Sequence, residues 1–495
     1  MSSLLEVLKF IGILFLVLLI FNFIIIVHEW GHFLAARWRG LKIEKFQIWM
    51  GKCLWKRTYN GVQYGLGTIP LGGFVQLPQM APMGAIEGKT GENGEALPPI
   101  KPLDKIIVAF AGPLFSFLLA LAFACAVSIV GKPVRQQETS TAIGYTMPGM
   151  PAAVAGLKAG DKILEIDGKP VKGFFRLADS VVWAIASGRS DDVLFKIQRP
   201  DESAPRSITV HAPYKESAKY REWDEDTGWF KKLYTRPPIR MVGIGPATEG
   251  KIKTIQKNSP AAEAGLQPGD IPTALNGEKL YHPEYLNILA KEHAGEDFHL
   301  TVLREGKEIS ATFKPRIPDK PEGLKEARTG IEQFEELDPN QRAVLDHPNP
   351  FTLIGDCFRN TAATLSALFS PGSSIGVSQM SGPVGIMHVY YTIFQNPDWW
   401  RLVLWFSVVL NIGLAIFNMF PLPVLDGGHI TMALLEMVRG KAIGTKFLEI
   451  VQLACVLCLF SFVIFVTFKD VGGLKGDEAL KEEFLPPATS GTPVP

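Results

Sequence analysis

The chain has 495 residues, a net charge of +1 at pH 7 and 47% hydrophobic residues. A chain of this length is too long to fold around a single hydrophobic core, so we expect roughly two to four structural units. The near-zero net charge, without a basic stripe, argues against a nucleic-acid partner. Three of the five cysteines, Cys125, Cys455 and Cys458, lie inside apolar runs, which excludes a disulfide framework.

The first apolar run covers residues 8–27 and contains only two polar side chains, Lys9 and Asn22. It is long enough to cross a bilayer, and we expect the helix to span about residues 8–36. A signal peptide is the competing interpretation. The length of the run, its weakly basic start and the lack of a small-residue cleavage site disfavour it.

The motif His28-Glu29-Trp30-Gly31-His32 ends this run. Residues four apart share a helix face, so His28 and His32 can offer two imidazole nitrogens to one metal. Glu29 is then placed to take a proton from a water molecule at the metal, and two His with one oxygen ligand favour zinc. The motif also arises by chance, but ionisable residues beside hydrocarbon are costly and usually functional.

A basic loop and a β-rich loop follow the first span. Residues 37–57 hold seven Lys and Arg against a single acid, Glu44, which indicates a cytoplasmic loop and an outside amino terminus. Gly and Pro punctuate residues 58–78, so we expect short strands and turns there. Residues 80–102 are rich in Gly, Pro and Glu and predict a long loop.

The second predicted span covers about residues 106–130. It contains Gly112 and Ser116, small residues one helical turn apart. Small residues allow two membrane helices to approach closely. Helix packing is therefore the simplest interpretation of this pair.

An internal repeat lies between the second and third spans. Residues 151–168 and 260–277 match at an offset of 109, with nine of eighteen positions identical. A repeat of this kind predicts two similar α+β modules. A charged and aromatic stretch, residues 213–240, reads as an insertion in the first module.

The third span, about residues 402–420, ends in a segment with two prolines and two glycines that stops the helix. Non-helical backbone at membrane depth is tolerated only inside protein or along a wet cavity. Asp426, in this segment, is therefore our candidate for the third metal ligand. The alternative is that Asp426 only caps the next helix.

The fourth span covers about residues 447–468, and a polar tail follows that we expect to be disordered. These features predict a set of domain boundaries. They are membrane domain 1–134 and 399–470, first module 135–246, second module 247–334, linker and juxtamembrane region 335–398, and disordered tail 471–495.

Taken together, the motifs resemble those of the bacterial site-2 proteases, M50-type intramembrane zinc metalloproteases, and most closely the regulator of sigma-E protease type. The resemblance extends from about residue 5 to 470. The motifs that carry it are His28-Glu29-x-x-His32, the Pro70-Leu71-Gly72-Gly73-Phe74 segment, Gly112-x-x-x-Ser116, the two repeats and Asn418-x-x-Pro421-x-Pro423-x-Leu425-Asp426-Gly427.

The resemblance implies a polytopic α-helical membrane protein with four transmembrane helices, a re-entrant β segment and two periplasmic α+β PDZ domains. It implies a multi-pass enzyme of the bacterial inner membrane whose active site lies towards the cytoplasm. Substrates would be single-span membrane proteins already cut by another protease. Anti-sigma factors and signal-peptide remnants are the expected examples, in regulated intramembrane proteolysis among membrane lipid.

The resemblance also assigns roles to residues of this chain. His28, His32 and Asp426 match the zinc ligands, Glu29 the catalytic base and Asn418 a substrate-holding residue. The re-entrant β stretch that would pair with a substrate strand comprises Leu71, Gly72, Gly73, Phe74 and Val75.

The chain departs from the family pattern in a few places. Gln76-Leu77-Pro78 follows the β stretch, and residues 80–102 and 213–240 are longer than in the family pattern. In the second repeat, Pro272 stands where the first repeat has Ile163, a predicted strand residue. A non-catalytic PDZ-bearing scaffold is the competing class, and a zinc carrier a second one. Zinc content together with cleavage of a model transmembrane substrate separates the three.

Overall fold

The computed structural model describes most of the chain. The described residues are 2–80, 100–176, 178–214, 236–237, 239–317, 326–336, 344–370, 372–440 and 445–484. Most of the predicted loop 80–102, most of the predicted insertion 213–240 and residues 485–495 of the predicted tail lie outside them.

Helices form the membrane part and also occur between the strands of the repeats. In chain order they are α1 (Ser2–Trp38), α2 (Pro102–Val130), α3 (Gln136–Thr139), α4 (Pro151–Val154), α5 (Val181–Ser187), α6 (Pro260–Glu263), α7 (Tyr285–Glu292), α8 (Pro350–Leu368), α9 (Pro383–Phe394), α10 (Trp399–Asn418), α11 (Asp426–Arg439) and α12 (Thr445–Phe484). Two 3₁₀ turns lie at Pro78–Met80 and Val377–Gln379.

Four of these helices are long and apolar enough to cross a membrane, which confirms the predicted polytopic architecture. Among the described residues the candidate spans are Val7–Trp38, Pro102–Val130, Trp399–Asn418 and Ile450–Gly473. Each overlaps the span predicted from hydropathy. Many of their apolar side chains are exposed in the isolated chain, as expected for surfaces that face lipid.

The last helix is longer than predicted. We expected the fourth span to end near residue 468 and a disordered tail to begin at 471, but α12 continues to Phe484. Its last turns read Asp477-Glu-Ala-Leu-Lys-Glu-Glu-Phe484, and most of these residues have high helix propensity. Polarity therefore marked the end of the span but not the end of the helix.

Helix α9 lies in the region that the sequence predicted only as linker and juxtamembrane, residues 335–398. Pro383 occupies the first turn of the helix, a position that Pro favours. The carboxylate of Asp470 accepts hydrogen bonds from the backbone N–H groups of Gly382, at 3.0 Å, and Gly385, at 2.7 Å. Asp470 thus satisfies amides at the start of α9 that no helical bond can reach.

The strands form small sheets. They are β1 (Lys45–Met50), β2 (Trp55–Tyr59), β3 (Val62–Leu66), β4 (Ile69–Gln76), β5 (Lys132–Val134), β6 (Ile143–Thr146), β7 (Lys162–Ile166), β8 (Lys169–Pro170), β9 (Asp192–Gln198), β10 (Arg206–His211), β11 (Ile244–Pro246), β12 (Gly250–Ile255), β13 (Ile271–Leu275), β14 (Glu278–Lys279), β15 (Phe298–Arg304), β16 (Lys307–Phe313), β17 (Ile331–Glu336) and β18 (Val344–Asp346).

The first sheet has the order β2-β3-β1-β4. Strand β1 runs parallel to β3 and antiparallel to β4, so β4 is an edge strand, and it contacts α1. We predicted strands only within residues 58–78. Strands β1 and β2 were missed because they lie in the basic loop, and every residue of β2 is exposed, which leaves no apolar alternation to detect.

The chain divides into two compact units. One comprises Met1–Pro133, Leu345–Ala362 and Ser381–Asp470; the other comprises Val134–Val344, Ala363–Met380 and Val471–Pro495. The first contains the β1–β4 sheet and the four candidate spans, except for the last three residues of the fourth. The second contains both repeats.

The two repeats have the same architecture. Each has a four-stranded sheet, ordered β10-β9-β7-β8 in the first and β16-β15-β13-β14 in the second, and a two-stranded sheet, β11-β6 or β17-β12. Each also carries one longer helix, α5 or α7. Their cores are separate clusters of buried apolar side chains. We call them the first and second repeat units.

The shared Gly-Asp of the repeat motif has a structural role. Asp161 and Asp270 are both fully buried, and each pairs with an arginine, Arg199 at 2.7 Å or Arg304 at 2.6 Å. A buried carboxylate requires such a partner. Pro272 lies in β13 where the register shifts between Pro272 and Ala274, an irregularity that tolerates proline.

His282 gives the second repeat unit a pH-sensitive stability. The side chain is 7% exposed, its Nδ1 has no hydrogen-bond partner among the described residues, and its ring meets that of Tyr145 edge to face at 5.2 Å. Burial lowers the pKa of His282 from 6.5 to about 4. The neutral ring is therefore the form that the folded protein prefers.

We expect His282→Phe to reduce the loss of stability on acidification. Because the folded-state pKa is below the unfolded one, the stability present above pH 6.5 is lost as the pH falls towards 4. The loss is at most about 3 kcal/mol. Thermal melting of both proteins across this pH range should show a smaller decrease for the variant. Parallel decreases would contradict the assignment.

Candidate metal centre

Three ligand side chains converge between α1 and α11. The Nε2 atoms of His28 and His32 are 3.2 Å apart, as the four-residue spacing on α1 predicts. Oδ2 of Asp426 lies 3.2 Å from Nε2 of His28, and Oδ1 lies 3.3 Å from Nε2 of His32. The candidate ligand atoms all lie within 4.8 Å of one another, so these three side chains could hold one metal ion.

Asp426 does not cap a helix. Helix α11 begins at Asp426 itself, so the N-cap position belongs to Leu425, whose side chain makes no capping bond. The capping alternative is therefore wrong, and the carboxylate faces the two imidazoles. The chain turns tightly before the helix, since a Cβ on Gly427 would lie 2.2 Å from the carbonyl oxygen of Met419.

Helix α2 orients both imidazole rings. Nδ1 of His32 donates to the carbonyl oxygen of Val108 at 2.8 Å, and Nδ1 of His28 lies 2.9 Å from Oγ of Ser116. A carbonyl can only accept, so Nδ1 of His32 carries the proton and Nε2 is free to bind metal. Partners of this kind fix the tautomer and angle of metal-binding histidines.

Gly112 leaves the space in which the imidazoles meet. A Cβ at this position would lie 2.2 Å from Nε2 of His32 and 2.7 Å from Nε2 of His28. Close packing of small residues, the interpretation given to Gly112 and Ser116, is thus only part of their role. Their four-residue spacing equals that of His28 and His32, a signal that could have indicated two facing helices at one site.

Glu29 lies beside the ligand group without belonging to it. Its Oε2 accepts a hydrogen bond from the backbone N–H of Val75 at 3.2 Å. Val75 lies on β4, an edge strand of its sheet, and its N–H points to the site. Gly73 is also close, because a Cβ there would lie 3.8 Å from Cγ of Glu29.

The predicted substrate-binding residues are distributed around this group. Nδ2 of Asn418, at the end of α10, lies 3.4 Å from Nε2 of His28. The side chain of Leu71 lies outside the described part, and the described contacts do not join Gly72 or Phe74 to the ligands. Gly72 has a φ of 73°, a left-handed conformation that favours glycine.

The donor set fits zinc. Two neutral imidazoles and one carboxylate are the ligands of many hydrolytic zinc sites, in which a fourth position stays open. The orienting contacts from Ser116 and Val108 and the space beside Gly112 belong to the same arrangement. Zinc is therefore the metal that these residues suit.

Comparison with known proteins gives consistent matches over most of the chain. The model of peptidase family M50 matches residues 16–462. Protease RseP of Yersinia pestis is 27% identical over 456 residues, 86% of this chain and 90% of the relative. The regulator of sigma-E protease RseP of Escherichia coli strain K12 is 26% identical over 445 residues, 86% and 90%. A Xylella fastidiosa protein whose name describes a zinc metalloprotease is 28% identical over 433 residues, 86% and 91%.

Proposed function

Because the chain belongs to peptidase family M50, we propose that His28, His32 and Asp426 hold its zinc ion and that Glu29 is its catalytic base. The chain is an intramembrane zinc metalloprotease of regulated proteolysis, the activity of this family and of the RseP relatives. The observation that carries the residue assignment is the convergence of one carboxylate and two imidazoles, with Glu29 beside them.

The residues divide the chemistry between them. Zinc, when bound, polarises a carbonyl group and makes water more acidic. Glu29 takes the proton of the attacking water and passes it to the leaving amine. The N–H of Val75 holds the Glu29 carboxylate in place through their 3.2 Å hydrogen bond. Ser116 and Val108 keep the imidazoles at a fixed angle.

The edge of β4 offers a place for an unwound substrate. A helical substrate hides its peptide bonds, whereas an extended segment can add to a free sheet edge through main-chain hydrogen bonds. Strand β4 has such an edge next to Glu29, and its residues Leu71, Gly72, Gly73, Phe74 and Val75 would contact the segment. Asn418, beside His28, would hold the same segment from the other side. In this role β4 is the re-entrant element.

The relatives and the chain's own charge pattern support a proposal for the substrate class and the location. We propose single-span membrane proteins as substrates, shortened beforehand by another protease. Anti-sigma factors are the proposed example, since the Escherichia coli relative is named a regulator of sigma-E protease. The basic loop before β3 supports a site towards the cytoplasm of the bacterial inner membrane. The repeat units, which follow the second span, would then be periplasmic PDZ domains.

The two rival functions lack support in the site. A scaffold would have no use for a carboxylate placed like that of Glu29. A zinc carrier needs several ligand sets along a path, and among the described residues one such group is found. Zinc content measured alongside cleavage of a transmembrane substrate would distinguish all three functions.

We expect substrates with helix-breaking residues to be cut faster. A transmembrane helix with Gly or Pro near the scissile bond unwinds at a lower cost, about 1 kcal/mol for Gly and 3 kcal/mol for Pro relative to Ala. One substrate carrying either a Leu run or a Gly insertion should therefore differ roughly fivefold in single-turnover rate, if all of the 1 kcal/mol appears in the barrier. Equal rates would argue against strand-like presentation on β4.

A further inference from the structure

Strand β17 of the second repeat unit lies at the edge of its two-stranded sheet with β12. Ile331, its first residue, pairs with Ile255, and the next backbone bond runs from the N–H of Gln256 to the carbonyl of Gly330. Antiparallel strands alternate between bonded and non-bonded pairs. The N–H and C=O of Ile331 therefore point away from β12, to the side where a peptide strand would add.

Two side chains of the same unit occupy that side. The N–H of Ile331 donates to Oγ1 of Thr329 at 3.0 Å, and Nδ2 of Asn287 donates to the carbonyl of Ile331 at 3.1 Å. Oγ1 of Thr329 in turn donates to Oδ1 of Asn287 at 2.7 Å. We call these three bonds the Asn287 clasp. It joins helix α7 to the edge of β17.

The clasp uses both main-chain groups that a peptide would need at Ile331. Strand addition depends on main-chain hydrogen bonds to the free edge. A peptide at this point would have to break the clasp and leave Asn287 and the fully buried Thr329 without partners. An unpaired buried polar group costs about 1–3 kcal/mol, which opposes the binding of a peptide.

The described part of the first repeat unit has no such polar pair at the corresponding positions. Ile244 pairs with Thr146, and the N–H of Met147 donates to the carbonyl of Gly243, the same pattern as at Ile331. Val242 precedes this Gly-Ile pair, in the place that Thr329 holds in the second unit.

The residue of the first unit that corresponds to Asn287 is found by aligning the buried residues of helices α5 and α7. In α5, Val181 and Ile185 are buried four residues apart, and in α7 Leu286 and Ala290 are buried at the same spacing. Val182 therefore takes the place of Asn287. Since valine side chains cannot form hydrogen bonds, the clasp is specific to the second unit.

We propose that the Asn287 clasp closes the second repeat unit to extended peptides, so that any strand addition to the repeat units takes place on the first. The partner excluded from the second unit is a peptide, including one with a free carboxyl terminus, that would add beside β17. The proposal concerns the repeat units alone and does not depend on the zinc chemistry.

The test replaces the clasp with the residues of the first unit. The full chain in detergent micelles is mixed with a pool of synthetic hexapeptides that have free carboxyl termini and varied last residues. Hydrogen–deuterium exchange of residues 331–336 is measured with and without the pool. The proteins compared are the parent, Asn287→Val with Thr329→Val, and Thr329→Ser, which keeps the hydroxyl group.

We expect the pool to leave exchange at 331–336 unchanged in the parent and in Thr329→Ser. In the double variant the pool should slow exchange at Ile331 by about tenfold, equivalent to one or two hydrogen bonds. Exchange of the buried strand β15 without peptide checks that the double variant is folded, and Thr329→Val alone provides a milder change if it is not.

Two results would overturn the proposal. The first is slower exchange of residues 331–336 in the parent when the peptides are added, because the edge would then be open. The second is a folded double variant in which exchange stays unchanged, because the clasp would then not be what closes the edge. Cleavage activity and zinc content are recorded for each protein, so a failure of the proposed protease site is seen separately.

Discussion

Glu29→Gln is expected to abolish peptide-bond cleavage while the zinc content stays that of the parent protein. Glu29 lies outside the group formed by His28, His32 and Asp426, so the variant keeps all three proposed ligands. Glutamine has the same size, and its amide oxygen can still accept the N–H of Val75, which preserves the contact with β4. An amide cannot take up the proton of water. A loss of cleavage with zinc retained would therefore report on the role of Glu29 as base.

The expected loss of cleavage rate is at least about hundredfold, the lower end of what a positioned general base contributes. Purified parent and variant are compared on one transmembrane substrate, with zinc measured by elemental analysis in the same samples. Glu44→Gln, a change to another acidic residue of the same unit, serves as the matched control and should cleave normally. Cleavage by Glu29→Gln at a rate near that of the parent would remove Glu29 from the catalytic role.

Asp426→Ala is expected to lose both bound zinc and activity. Asp426 is the one carboxylate among the proposed ligands, and without it two imidazoles remain, fewer than the three protein ligands of catalytic zinc sites. Changes to groups that merely support ligands already weaken metal binding by ten- to a hundredfold. We therefore expect a decrease in zinc affinity of at least about tenfold.

Asp398→Ala is the matched control for this variant. Asp398 is also a carboxylate at the start of a membrane-domain helix, but it lies next to Arg401, at 3.6 Å, rather than in the ligand group. The control should retain zinc and activity. Full zinc occupancy in purified Asp426→Ala would show that Asp426 is not a ligand, whatever happens to cleavage.

The sequence predicted the elements whose signal is local. Long apolar runs gave the four spans, and the four-residue spacing of His28 and His32 placed both rings on one face of a helix. Asp426 lies almost four hundred residues away in the chain. It could still be selected, because a Pro- and Gly-rich break at membrane depth is tolerated only inside protein or along a wet cavity. The repeat likewise predicted two similar units before any contact was known.

What escaped prediction depends on contacts between distant segments. Val108 acts through a backbone carbonyl, which carries no side-chain signal, and Ser116 looks like an ordinary small residue until His28 lies beside it. Strand β2 is exposed along its whole length and so shows no apolar alternation. The Asn287 clasp needs the exact register of β17 against α7, which composition cannot supply.

Two glycines, Gly31 on α1 and Gly112 on α2, allow these helices to pack closely at the metal centre. A Cβ on Gly31 would lie 2.4 Å from the carbonyl oxygen of Ala111, and one on Gly112 would strike both imidazoles. The geometry at the rings is thus set by how closely α1 and α2 approach, a distance that lipid and detergent can alter. We therefore expect conditions that separate α1 from α2 to weaken metal binding as well.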